Sequence, residues 1–129
     1  LHNVAHSFPT RRSSDLEVFP ALVGQTLAEL GFALDLQFYS YQHGWAKPGR
    51  ELYRLAATAL QQHGIPAERA LVVGNDMRND MGPAARLGFR TALFAGDARS
   101  LRRREGDPWC AGIVPDLVVT DLVDLLHCV

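Results

Sequence analysis

Residues 70–84 read ALVVGNDMRNDMGPA, and the change of character along this stretch decides the fold. Ala70 to Gly74 (ALVVG) is a continuous apolar run ending in glycine. A short run without alternation suits a strand buried on both faces, as in a parallel sheet. Asn75 to Asp80 then forms a polar, acidic loop, and Met81 to Leu87 a short helix ended by Gly88. Arg90 to Ala95 (RTALFA) is a second buried strand, ended by Gly96. Strand, polar loop, helix and strand in that order make a parallel unit, because two parallel strands need a crossover between them.

The same alternation extends outward. Upstream, Phe19 to Gly31 (FPALVGQTLAELG) places Leu22, Val23, Leu27 and Leu30 at helical spacing with Gly31 as a stop. Leu34 to Ser40 (LDLQFYS) alternates and is rich in aromatics, which predicts a strand. Tyr41 to Pro48 (YQHGWAKP) reads as a loop. Gly49 to Gly64 is a long helix with Leu52, Leu55, Ala56, Ala59 and Leu60 on one face, and Pro48 sits where proline's fixed φ is welcome. Downstream, Asp97 to Asp107 is a charged connection, Asp116 to Thr120 (DLVVT) a last strand, and Asp121 caps a terminal helix, LVDLLH. The pattern predicts an α/β domain, a parallel sheet flanked by helices. In such sheets ligands sit beyond the C-terminal strand ends, which puts the two most unusual polar segments, YQHGWAKP and GNDMRND, on one rim.

Composition excludes several function classes. The chain has 129 residues, is 47% hydrophobic, and balances 13 basic against 14 acidic residues, so no field of one sign draws in nucleic acid or a membrane surface. The one basic cluster, Arg99 to Arg104, reads as a solvated face, with a phosphate or partner patch as the alternative. Cys110 and Cys128 have no metal spacing, and two isolated thiols fit a reducing compartment. No apolar run approaches the ~20 residues of a membrane helix. No secretory signal is visible, so a cytoplasmic location is expected.

Two constellations carry chemistry. Asp76 and Asp80 follow a buried strand and a tight glycine turn, four residues apart, so both can turn toward one point above the strand. Carboxylates held close repel one another, and a hard divalent cation resolves the repulsion. Mg²⁺ takes one or two carboxylates together with waters and substrate phosphate. The plain alternative is that Asp, Asn and Gly are ordinary turn and cap residues. Lys47 stands on the other rim loop, 29 residues before Asp76. A compact ammonium beside a carboxylate–metal pair can hold both the acids and an anionic oxygen. His43 and Trp45 flank that loop, either packing it or touching substrate. Arg78 stands between the acids as an ion-pair partner, and His63 sits at a helix end, where a cation suits the dipole.

Taken together, Ala46 to Gly96 resembles the third and fourth motifs of the HAD (haloacid dehalogenase-like) hydrolase superfamily in their usual order. The third is a lysine before a helix, often as KP. The fourth is an apolar strand followed by an acidic GD- or GND-type loop with a second Asp four or five residues on. DLVVTDLVDLL resembles the closing strand and helix, and the likeness extends over residues 17–129. It implies a Rossmann-like sheet and the following roles. Lys47 neutralises the nucleophile and the transferring phosphoryl group; Asp76 and Asp80 hold Mg²⁺, directly or through water. Asn75 occupies a place where many members carry the first acid, and the four-residue spacing selects Asp76. The implied reaction is metal-assisted phosphoryl transfer to an aspartate followed by hydrolysis, acting on a small phosphate ester.

The chain departs from the family at its first two motifs. The family's nucleophile lies in a DxDx[TV] strand, central in the sheet, and no such motif occurs here. The position of the second motif, a Ser or Thr at a strand end, falls at about residues 13–18, where Ser7 to Leu16 (SFPTRRSSDL) resembles a translated sequencing adapter, and the role is not carried over to Ser13 or Ser14. The resemblance implies that residues 1–16 are an artefact or disordered and that 17–129 is an incomplete HAD-like core, lacking the nucleophile strand and inactive on its own. The competing reading is a non-catalytic α/β domain that binds a metal or a partner.

Overall fold

The computed structural model describes residues 25–45 and 49–128. Three short strands form one parallel sheet in the order β1 (Leu71–Gly74), β2 (Arg90–Phe94), β3 (Leu117–Val119). Val72 is in register with Thr91, and Ala92 with Leu117. The helices are α1 (25–29), α2 (Ser40–His43), α3 (Glu51–Gln62) and α4 (Gly82–Arg86). This is the expected α/β class, a parallel sheet flanked by helices. Among the described residues β1 is an edge strand. No helix among them is long and apolar enough to cross a membrane.

Side chains alternate across the strands, so each face of the sheet gathers its own core. On one face Val72 and Leu93 pack with Leu52, Tyr53, Ala56 and Leu60 of α3 and with Met81 and Ala84. On the other, Ala92, Val119 and Leu125 pack with Leu71, Val73, Phe94 and Leu117. The first cluster is much the larger because a long amphipathic helix covers that face. Tyr53, outside the expected apolar stripe of α3, is completely buried.

Three helices close in the same way. Gly31, Gly64 and Gly88 have φ of 91°, 73° and 85°. Behind each, the next residue's N–H reaches the carbonyl five residues back: Phe32 to Leu27, Ile65 to Leu60, Phe89 to Ala84. This paired closure needs a left-handed residue, and glycine adopts that conformation without a Cβ clash. Each glycine stands where the sequence predicted a stop.

β2 and β3 are tied at their starts by side chains. Asp116 Oδ2 accepts from the Thr91 N–H at 2.8 Å and its hydroxyl at 3.2 Å, while Thr91 Oγ1 accepts from the Asp116 N–H at 3.2 Å. The Thr91 N–H, with further help from the Thr91 hydroxyl and Arg90, holds the Asp116 carboxyl below the ordinary carboxylate value.

Three segments differ from expectation. Leu34–Leu36 is a 3₁₀ turn, and Ser40–His43 is a helical turn rather than the end of a strand and the start of a loop. The alternation of LDLQFYS is not realised: Leu34 is 66% exposed while the adjacent pair Phe38 and Tyr39 is buried. Strand geometry needs a partner's ladder, and none of the described strands pairs with this segment. The acidic segment is not an open loop, because Met77–Met81 forms a single π-helical turn. The terminal helix, Leu122–Cys128, is 3₁₀, with Asp121 Oδ1 accepting from the Val123 N–H at 3.0 Å as its cap.

Candidate functional site

The acidic turn is built from the end of β1. Beyond Gly74 the chain bends, and Asp76 has extended dihedrals (φ −127°, ψ 118°) suited to capping. Its Oδ1 accepts from the backbone N–H groups of Arg78 at 2.9 Å and Asn79 at 3.2 Å. Its main-chain carbonyl accepts from Asp80 at 2.9 Å and Met81 at 3.2 Å, which widens the turn into π geometry. Single π turns inside helices recur at functional sites because they re-aim side chains.

That wide turn points Asp80 back over the strand end. Its Oδ2 accepts from the N–H of Asn75 at 3.2 Å and of Asp76 at 3.1 Å. The Tyr53 hydroxyl donates to the Asn79 carbonyl at 3.0 Å and lies 3.4 Å from Asp80 Oδ1. Both acids are buried, Asp76 to 6% and Asp80 to 4% exposure. Burial, followed by the nearby Asp80 carboxylate, pushes the Tyr53 phenol far above its usual value, so it acts only as a neutral donor.

A charged connection folds over the turn. Arg102 forms an isolated parallel bridge with Asp76: the Arg102 N–H donates to the Asn75 carbonyl at 2.8 Å, and its carbonyl accepts from Met77 at 2.9 Å. Two residues on, Arg104 reaches Asp76 with both ends of its fork, Nε to Oδ1 at 3.1 Å and Nη2 to Oδ2 at 2.7 Å. Asn79 Nδ2 adds a bond to Asp76 Oδ2 at 3.0 Å. Burial alone would raise the Asp76 pKa, but Arg104 and the two capping N–H groups outweigh it and hold the carboxyl below 3.8. Arg78 lies 3.5 Å from Asp107 and 5.6 Å from the Trp109 ring centroid, clamping the far end of the same connection.

The structure therefore brings Asp76 and Asp80 together on one turn at the C-terminal end of β1. Lys47 lies outside the described residues, as do residues 1–24. His43 and Trp45 stack on each other at 5.7 Å, both exposed. His63 Nε2 lies 2.8 Å from Asp35 Oδ2, pairing a helix end with an acid rather than with the dipole alone. Within the Arg99 to Arg104 cluster, for which the sequence predicts a solvated face or a phosphate or partner patch, Arg104 is the cationic partner of Asp76. A run of arginines is no guide to which member folds inward; φ at Arg104 is 55°, a positive value found among the described residues only here and at glycines.

The two carboxylates offer an all-oxygen donor set, the chemistry a hard divalent cation takes. Asp76 already holds a cationic group, the Arg104 guanidinium, so the turn is one where positive charge is stable. No group of three or more His, Cys, Asp or Glu residues able to hold a metal occurs among the described residues. On this chain the donors for Mg²⁺ would be Asp76 and Asp80, a set that fits an ion completing its shell with water and substrate oxygen.

A parallel sheet carrying a paired-acid turn beyond its first strand defines an α/β protein with a rim site. A sequence profile of the HAD-hydrolase-like family matches residues 44–125, well over half of the chain. The chain belongs to that family. No curated protein matches it. Among solved structures, the HAD-hydrolase YfnB of Bacillus subtilis, solved bound to magnesium, is 23% identical with a TM-score of 0.55, covering 71% of this chain and 36% of its own. A 2-haloacid dehalogenase from Pseudomonas syringae pv. tomato DC3000 is 23% identical with a TM-score of 0.49, covering 67% of this chain and 33% of its own. The chain thus spans about a third of the length of either protein, and the likeness to YfnB is one of fold.

Proposed function

We propose that this chain carries the acidic half of the active site of a Mg²⁺-dependent HAD-type phosphatase acting on a small phosphate ester. The observation that carries the reading is the buried pair Asp76 and Asp80 on one π turn beyond β1. Magnesium would supply charge neutralisation for the phosphoryl oxygens and orient them. Asp80 is held by two backbone N–H groups, so its direction is set before any ligand arrives. Asp76, buried and kept ionised by N–H donors, offers negative charge with no proton to lose. Lys47 would neutralise the transferring group from the neighbouring rim loop. The attacking aspartate and the phosphate-binding Ser or Thr are contributed by residues that this sequence does not contain. In this reading 17–129 is an incomplete core, residues 1–16 stand outside it, and the place of action is the cytoplasm.

The test is titration of MgCl₂ into the purified chain by calorimetry, beside p-nitrophenyl phosphate turnover. Saturable Mg²⁺ binding that Asp80→Asn removes, with no turnover by the chain alone, is the expected result. Absence of Mg²⁺ binding, or undiminished binding by Asp80→Asn, overturns the metal assignment. The competing reading, a non-catalytic domain, draws on the N–H donors that already surround Asp76. It is favoured if an upstream segment bearing a DxDx[TV] strand restores no turnover.

A further inference from the structure

We infer that Arg104 is the resident cation of the acidic turn: its guanidinium holds Asp76 when no divalent metal is bound and must leave when one binds, so this side chain sets the metal affinity. The inference rests on the reading of Asp76 as a metal ligand given above.

Donor arithmetic carries it. A carboxylate offers about four lone-pair directions. Asp76 accepts from Arg78 N, Asn79 N, Asn79 Nδ2, Arg104 Nε and Arg104 Nη2. A metal ion therefore cannot join without displacing a donor. The first three belong to the turn itself, and removing them would unwind it. Arg104 alone comes from another segment and alone is charged, so it is the donor that can leave without unwinding the turn, and a divalent ion taking its place sets two positive charges against the Asp76 and Asp80 carboxylates.

The backbone supports the same assignment. Arg104 has φ 55°, a conformation that disfavours a side chain with a Cβ and is retained where something over-determines it. Here the loop is pinned on both sides, by the Arg102 bridge to Asn75 and Met77 and by Arg78 on Asp107. The neighbouring guanidiniums do not reach the acids: Arg102 donates to the carbonyls of Arg99 and Leu101, and Arg103 lies 4.0 Å from Glu105. The Arg104 side chain is 37% exposed, so water is at hand to receive it when it swings away.

The experiment is Mn²⁺ titration of the full chain, followed by loss of the free-ion electron paramagnetic resonance signal. The proteins compared are wild type, Arg104→Gly, Arg104→Lys, Arg103→Gln and Asp76→Asn. Glycine adopts φ 55° freely, so Arg104→Gly keeps the loop and removes only the guanidinium. It should bind Mn²⁺ about tenfold more tightly or better, the scale of losing a bidentate charge-assisted competitor. Arg104→Lys, which cannot grip with a fork, should fall between the two. Arg103→Gln removes the same charge from the same loop without touching Asp76 and should stay within about twofold of wild type, as a screened surface charge does. Equal tightening by Arg103→Gln and Arg104→Gly, or no change in either Arg104 variant, overturns the inference. If in that case Asp76→Asn still weakens binding, the metal-ligand reading stands without it. Failure of all five proteins to bind Mn²⁺, or wild-type binding by Asp76→Asn, overturns both.

Discussion

The carboxylate of Asp80 lies directly over Gly74, so that a Cβ placed on Gly74 would sit 2.5 Å from Asp80 Cβ, Cγ and Oδ2 alike. The strand end and the second acid share one volume, and only the hydrogen side chain of glycine leaves room for both. The closeness is polar as well as steric, since the same approach lets Asp80 collect the N–H groups of Asn75 and Asp76.

Gly74→Ala should therefore displace Asp80 and break those two bonds. Overpacking of this kind costs about 1–3 kcal/mol, and the contact is with atoms near the Asp80 backbone, which cannot swing aside. Urea denaturation should show a lower midpoint with an unchanged slope. A midpoint equal to wild type would mean that Asp80 has another resting place.

Tyr53→Phe removes the hydroxyl that bonds the Asn79 carbonyl and approaches Asp80. The ring is fully buried, so water does not readily replace it. A loss of about 1–3 kcal/mol is expected, the cost of leaving a buried acceptor unpaired. Thermal unfolding followed by circular dichroism measures it, and the amide exchange of Asn79 to Met81 should quicken with it. A neutral substitution would show that the turn holds itself without α3.

Stability should fall with acid in a way that Asp76→Asn reduces. The folded chain keeps the Asp76 carboxyl below 3.8, so the unfolded chain binds the proton more readily. Stability from this group is complete above roughly pH 5 and is lost as pH drops through its folded value. Asp116, also lowered, adds its own share in the same window. Near neutrality Asp76→Asn should cost about 1 kcal/mol, a charge-assisted bond in a partly hydrated setting. The gap from wild type should narrow as pH falls below the ordinary carboxylate range. Parallel unfolding-versus-pH curves would contradict the ion pair.

Much of this was legible along the chain because it depends on near neighbours. The apolar runs at 71–74, 90–94 and 117–119, the left-handed glycines at 31, 64 and 88, and the cap at Asp121 all follow from local preference and side-chain period. The four-residue spacing of Asp76 and Asp80, set after a buried strand, was enough to place both acids on one turn.

What tertiary structure decided depends on partners distant in sequence. LDLQFYS has the alternation of a strand, yet strand geometry is realised only where another ladder supplies the bonds, and there the chain forms turns instead. Tyr53 lies off the apolar stripe that spacing assigns to α3, and only packing lays it against a turn 26 residues away. Among six consecutive residues bearing four arginines, only the fold selects Arg104, because a bridge 26 residues long in sequence, Asp76 to Arg102, brings that loop within reach of a carboxylate. Local sequence determined the elements and the acid pair; long-range packing determined what the acids hold, since a guanidinium's partner is a matter of distance in space.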